Sequence, residues 1–172
     1  MIATRTLTHP VSLCAIGLLV INDHVLKQLA PGVLTGKLSD FAGLAFFPLL
    51  LAAAAEHARI RRGTQTVLLA ALATAAVFAA IKVCAPAAEL YRVGLAALQW
   101  PARAARAVLT GESVPSLGRV AHVADRTDLV ALIALALPIT LARREGAVSD
   151  RSRAAARAVA RSTVRGTCST CV

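Results

Sequence analysis

The side chains of this chain that could bind a cation or carry a proton lie mainly at the ends of its apolar segments. Only three of the nineteen basic residues are lysines, and these three, four of the five aspartates and the only asparagine all belong to this group. The members of the polar set are Asn22, Asp23, His24, Lys27, Thr35, Lys37, Ser39, Asp40, Lys82, Asp125, Thr127 and Asp128. Carboxylates with an imidazole can hold a divalent metal or move protons, and lysines can hold an anion.

The elements that position these residues are predicted from composition. The chain is 57% hydrophobic and 16% charged, with a mean hydropathy of +0.67, whereas soluble domains are about 45–50% apolar. A span needs about 20 mainly apolar residues. We therefore predict an all-α polytopic membrane protein with a transmembrane bundle over 1–142. Its four spans are expected at about 10–29, 38–56, 64–84 and 126–142.

Two other interpretations of the apolar windows are less favoured. A soluble bundle needs polar outer faces, which residues 64–80 do not supply. A cleaved secretory signal over the first window would need a small-residue cleavage site, and Asn22-Asp23-His24 follows that window directly.

Basic residues in the loops predict the orientation. With four spans, the side that carries both termini receives eleven Lys and Arg residues, and the opposite side receives eight. Both termini are therefore expected in the cytoplasm. The polar set then lies near the extracytoplasmic face.

The segment 87–110 is predicted to be an amphipathic helix in the membrane interface. It contains the only tyrosine, Tyr91, and the only tryptophan, Trp100, and such rings favour headgroup depth. A fifth span is less favourable, because Arg92, Arg103 and Arg106 would enter the hydrocarbon.

The last thirty residues, 143–172, form a basic tail that we expect to be disordered or a surface helix. Arginines at a spacing of four predict contact with anionic lipid headgroups rather than with nucleic acid, and these are Arg153, Arg157, Arg161 and Arg165. Cys168 and Cys171 form a C-x-x-C pair, but a structural zinc site usually needs four ligands. We assign the pair no role.

Three motifs carry a family resemblance: N-D-H-x-L-K at 22–27, L-T-G-K-L-S-D-F-A-G-L at 34–44 and D-x-T-D-L at 125–129. The chain resembles bacterial multi-span membrane proteins of unassigned function that carry these motifs in this order. The three motifs cover 22 of the 172 residues. The resemblance implies a multi-span protein of the bacterial inner membrane, but no activity.

The polar residues also have structural explanations. Thr35 or Ser39 can cap the second helix, Asp125 can cap the fourth, and Asp23 can pair with Lys27 one turn later. The set is charge-balanced, since four aspartates face four basic residues, which are Lys27, Lys37, Lys82 and Arg126. Balance of this kind fits an internal ion-pair network as readily as it fits catalysis.

Two functions of different classes follow. The favoured one is a small transporter, a channel-like protein or an accessory membrane component, in which His24 and Asp128 could carry protons. The alternative is a metal-assisted hydrolase acting on a lipid or isoprenoid phosphate or ester. Its divalent metal would be held by Asp23, His24, Asp40 and Asp125 or Asp128.

Overall fold

The computed structural model describes residues 2–30, 32–60, 63–120 and 125–167, with side chains described as far as Arg157. All regular elements within these ranges are helical, which confirms the all-α class. The elements are α1 (Ile2–Leu7), α2 (Pro10–Leu29), α3 (Val33–His57), α4 (Thr64–Val83), α5 (Ala85–Thr110), a 3₁₀ segment (Arg126–Leu135) and α6 (Ala136–Thr167).

Three helices of the described chain are long and apolar enough to cross a membrane, namely α2, α3 and α4. They coincide closely with the first three predicted windows. The fourth window, 126–142, is divided between the 3₁₀ segment and the start of α6, so the four-span bundle stays a prediction. The division at residue 143 also stays a prediction, and α6 crosses it without a break in the helix.

Local sequence explains where the helices begin and end. Pro10 occupies the first turn of α2, and His9 Nδ1 accepts a hydrogen bond from the Val11 N–H at 3.3 Å. At the end of α5, Gly111 adopts a left-handed φ of 71°, and the Glu112 N–H bonds back to the Ala107 carbonyl at 2.8 Å. This is a glycine C-cap that satisfies the last carbonyls of the helix.

The chain divides into two compact units, residues 1–74 with 132–172 and residues 75–131. In the first unit the core contains five fully buried residues from α1, α3, α4 and α6, which are Ala3, Leu49, Ala52, Val67 and Ala142. Three of them are alanines, so the backbones can approach closely.

The second unit contains α5 and the connection that follows it. Trp100 Nε1 donates to the Pro115 carbonyl at 2.8 Å, and Arg92 Nε donates to the Val120 carbonyl at 3.2 Å. The connection therefore folds back along α5. Segment 87–110 is helical in this structure, and its place in the membrane interface stays a prediction.

Candidate functional site

Four members of the polar set form one hydrogen-bonded network at the end of α2 and the start of α3. Asn22 Nδ2 donates to Ser39 Oγ at 2.7 Å, and Ser39 Oγ donates to Asp23 Oδ1 at 2.6 Å. Lys27 Nζ lies 2.8 Å from the same carboxylate oxygen. We call Asn22, Asp23, Lys27 and Ser39 the α2–α3 network.

The backbone of α2 widens where this network begins. Residues Asn22–Leu26 form a π-turn, in which the Lys27 N–H bonds to the Asn22 carbonyl five residues earlier. Such turns are rare and are often found at functional sites. In the structure the turn places Asn22 against α3 and leaves Asp23 and Lys27 at the surface.

Thr35 fixes the start of α3 from the other side. Its hydroxyl accepts a bond from the Gly32 N–H at 3.2 Å and donates to the Gly32 carbonyl at 2.9 Å. The Thr35 carbonyl oxygen accepts the other hydrogen bond that Asn22 Nδ2 donates, at 2.7 Å. Thr35 therefore caps the helix, whereas Ser39 bonds to α2.

One end of the network is buried and the other is exposed. Asn22 is fully buried, and its Oδ1 has no hydrogen-bond partner among the described residues. The side chains of Asp23 and Lys27 are 42% and 41% exposed. A proton that reaches Asp23 from water would weaken its bonds to both Ser39 and Lys27. The network therefore links an exposed carboxylate to a buried amide.

The second unit contains a buried ion pair between two other members of the polar set. Lys82 Nζ lies 2.6 Å from Asp128 Oδ2, and both residues are buried. The ammonium also lies 5.3 Å from the centre of the Phe78 ring, one turn earlier on α4, a favourable cation–π distance.

Asp125 organises the backbone just before Asp128. Its two carboxylate oxygens accept bonds from the Thr127 N–H at 2.8 Å and the Thr127 hydroxyl at 2.7 Å. The Asp128 N–H donates to the Asp125 carbonyl at 3.1 Å. Asp125 thus caps the 3₁₀ segment, as its place in the sequence predicts.

Three further members of the polar set, which are His24, Lys37 and Asp40, lie outside the α2–α3 network as defined above. His24 is exposed, whereas Lys37 and Asp40 are half-buried and each takes part in a polar interaction. The α2–α3 network and the Lys82–Asp128 pair belong to different units, so one common polar layer stays a prediction.

A metal site is not formed by the described part of the chain. No group of three or more His, Cys, Asp and Glu residues there is placed to hold an ion. The predicted set of Asp23, His24, Asp40 and Asp125 or Asp128 therefore remains a hypothesis from sequence.

The tail residues are described only in part. Arg153 and Arg157 are exposed on α6. Arg161 and Arg165 lie outside the residues whose side chains are described, and Cys168 and Cys171 lie outside the described residues.

One buried carboxylate was missed by the sequence interpretation. Glu56, near the end of α3, is fully buried and accepts bonds from the backbone N–H groups of Ile2, Ala3 and Thr4 at 3.1–3.4 Å. The Gly63 N–H donates to it as well, at 3.2 Å. Glu56 therefore caps α1.

A signal for this cap exists in the sequence. An acidic side chain in the last turn of a helix is disfavoured by the helix dipole. A glutamate at the end of an apolar window is therefore expected to bind hydrogen-bond donors outside its own helix. The unbonded N–H groups at the start of another helix are suitable donors.

Comparison of the chain with protein-family models, curated proteins and solved structures found no match. The resemblance to multi-span membrane proteins therefore rests on the three motifs alone.

Proposed function

We propose that this chain is a multi-pass protein of the bacterial inner membrane with both termini in the cytoplasm. The support is the exposure of its apolar helices. Within the structure only 17%, 33% and 22% of the apolar windows of α2, α3 and α4 are buried. Exposed side chains such as Leu13, Leu72 and Val77 would form large apolar surfaces in water. A bilayer accommodates these surfaces, and contact of the tail with anionic headgroups adds to the attachment.

We further propose that the protein is a small transporter or channel-like protein whose α2–α3 network responds to protons. The observation that carries this proposal is a series of two hydrogen bonds. It runs from buried Asn22 to Ser39, and from Ser39 to the exposed carboxylate of Asp23. Polar groups inside candidate spans are costly and usually line wet paths or pair with one another. The π-turn at Asn22–Leu26 lies at the same place, where the backbone hydrogen bonds could shift to the ordinary α-helical pattern.

The proposal is tested by proton flux into liposomes that contain the purified chain. An internal pH-sensitive dye reports flux driven by a potassium diffusion potential. We expect flux above that of protein-free liposomes, and a large loss with Asp23→Asn. The matched control is Asp150→Asn, since Asp150 is exposed and outside the polar set. Flux equal to the protein-free value, or equal loss in both variants, would contradict the proposal.

A further inference from the structure

A cavity of about 380 Å³ opens in the first unit beside Glu56. Its walls come from α1, the end of α3 and α6, and its charged or hydroxyl-bearing side chains are Arg5, Glu56, Glu145, Ser149 and Arg153. This volume lies in the range of small-molecule sites, about 300–1,000 Å³. Residues 148 positions apart in the sequence, Arg5 and Arg153, thus line one cavity.

Two arginines of this cavity are placed to bind an anion. Both oxygens of Glu56 already accept bonds from backbone N–H groups. Within the described residues, no ion pair joins Arg5 or Arg153 to a carboxylate, and both arginines are exposed. The lining therefore has two guanidinium groups and two carboxylates, those of Glu56 and Glu145. Because backbone N–H groups already satisfy Glu56, both guanidinium groups remain available to a ligand.

Packing holds the α6 wall in place. Ala142, Gly146, Ser149 and Arg153 are spaced by four, three and four residues and therefore share one helix face. Ala142 is fully buried, and a Cβ on Gly146 would lie 2.6 Å from Thr64 Oγ1. Close contact of this face with the start of α4 orients Ser149 and Arg153 toward the cavity.

We propose that this cavity binds one phosphate group, and that the ligand is the phosphodiester of a phospholipid headgroup. Guanidinium groups bind phosphate oxygens through paired, charge-assisted hydrogen bonds, and the Ser149 hydroxyl can donate one more. The cavity lies where α3 ends and α4 begins, that is, at the ends of two candidate spans. Lipid phosphates lie at this depth in a bilayer, since the headgroup region borders the hydrocarbon core. This proposal rests on the proposed membrane placement, but not on proton movement through the α2–α3 network.

The test is native mass spectrometry of the full chain in detergent. The probes are phosphatidylglycerol, diacylglycerol with the same acyl chains, and glycerol 3-phosphate. We expect one tightly bound phosphatidylglycerol per chain and no comparable binding of diacylglycerol. Each lost charge-assisted contact corresponds to about a tenfold weaker affinity, so Arg5→Gln and Arg153→Gln should each show that loss.

Arg151→Gln is the matched control, because Arg151 is exposed on α6, lies outside the cavity and is not one of the four arginines predicted to contact headgroups. Its affinity should stay within about twofold of the wild-type value. Arg153→Lys should give an intermediate loss, because it keeps the charge without the planar fork. Unchanged thermal midpoints would show that all variants are folded.

Three results would overturn the proposal. Equal losses for Arg153→Gln and Arg151→Gln would indicate diffuse attraction to the tail. Equal binding of diacylglycerol would show that the phosphate is not recognised. Binding of glycerol 3-phosphate as tight as that of the lipid would assign the site to a soluble phosphate ester.

Discussion

Lys82 Nζ and Asp128 Oδ2 lie 2.6 Å apart, although the two residues are separated by 46 positions and both are buried. One comes from the last turn of α4 and the other from the 3₁₀ segment. Because buried charges are expensive unless paired, this contact ties the two elements together.

The first prediction concerns this pair. Asp128→Ala removes the carboxylate and leaves the buried ammonium in place, so the free energy of unfolding should fall by about 3–5 kcal/mol. The double variant Lys82→Met with Asp128→Leu should lose much less, since no buried charge remains. Unfolding in mixed detergent micelles measures both. The control is Glu89→Gln, which breaks two partly exposed ion pairs, with Arg119 and Arg92, and should cost about 1 kcal/mol or less. Additive single and double variants would argue against coupling.

The second prediction concerns Ser39, whose hydroxyl joins Asn22 to Asp23. Ser39→Ala leaves a buried amide donor with only one acceptor and removes a bond to a carboxylate, which should cost about 1–3 kcal/mol. Ser152→Ala is the control, because that exposed hydroxyl bonds only to a carbonyl of its own helix. If both variants unfold at the same denaturant concentration, the α2–α3 network does not stabilise the protein.

The third prediction concerns Glu56. Glu56→Ala leaves four backbone N–H groups without this acceptor, and the expected cost is about 3 kcal/mol or more, since each buried orphan costs about 1–3 kcal/mol. Hydrogen exchange should also become much faster at Ile2, Ala3, Thr4 and Gly63. Glu112→Gln, on an exposed residue, should leave exchange at these amides unchanged. Continued protection of Ala3 in Glu56→Ala would show that α1 is held by other contacts.

The fourth prediction concerns the contact of α6 with α4. Gly146→Ala should destabilise the protein although alanine favours helices, because its Cβ would meet Thr64 Oγ1 at 2.6 Å. Adding Thr64→Ala removes that oxygen and should restore stability. Gly17→Ala, where nothing lies within 4 Å, should be neutral or stabilising. Thermal midpoints of the four proteins decide the matter, and an unaffected Gly146→Ala would mean that α6 packs less closely there.

The helices were largely predictable, because stretches of apolar residues and the glycines and prolines that end them are local features of the sequence. The third window, 64–84, became α4 at Thr64–Val83, and the all-helical class followed from composition. The 3₁₀ geometry of Arg126–Leu135 was not predictable, since apolar periodicity does not separate a 3₁₀ from an α-helical turn.

The candidate site was predictable in residue type but not in partners. Asp23 and Lys27 are four apart on one helix, so their pairing follows from spacing. The bond from Asn22 to Ser39 and the pairing of Lys82 with Asp128 depend on how helices pack. Glu56 was missed because three of its four donors lie more than fifty residues earlier in the chain.

The central claim is that the chain spans a membrane with the α2–α3 network outside the cytoplasm. The most direct measurement is labelling of single-cysteine variants in intact cells with a reagent that does not cross the membrane, after replacement of the native cysteines. Leu34→Cys reports on the connection beside Thr35, Ser113→Cys reports on the connection after α5, and Ser152→Cys reports on the tail; all three sites are exposed. Labelling of positions 34 and 113 but not of 152 is the predicted result. Labelling of 152 alone would place the network in the cytoplasm, and recovery of the protein in the soluble fraction would contradict the membrane assignment itself.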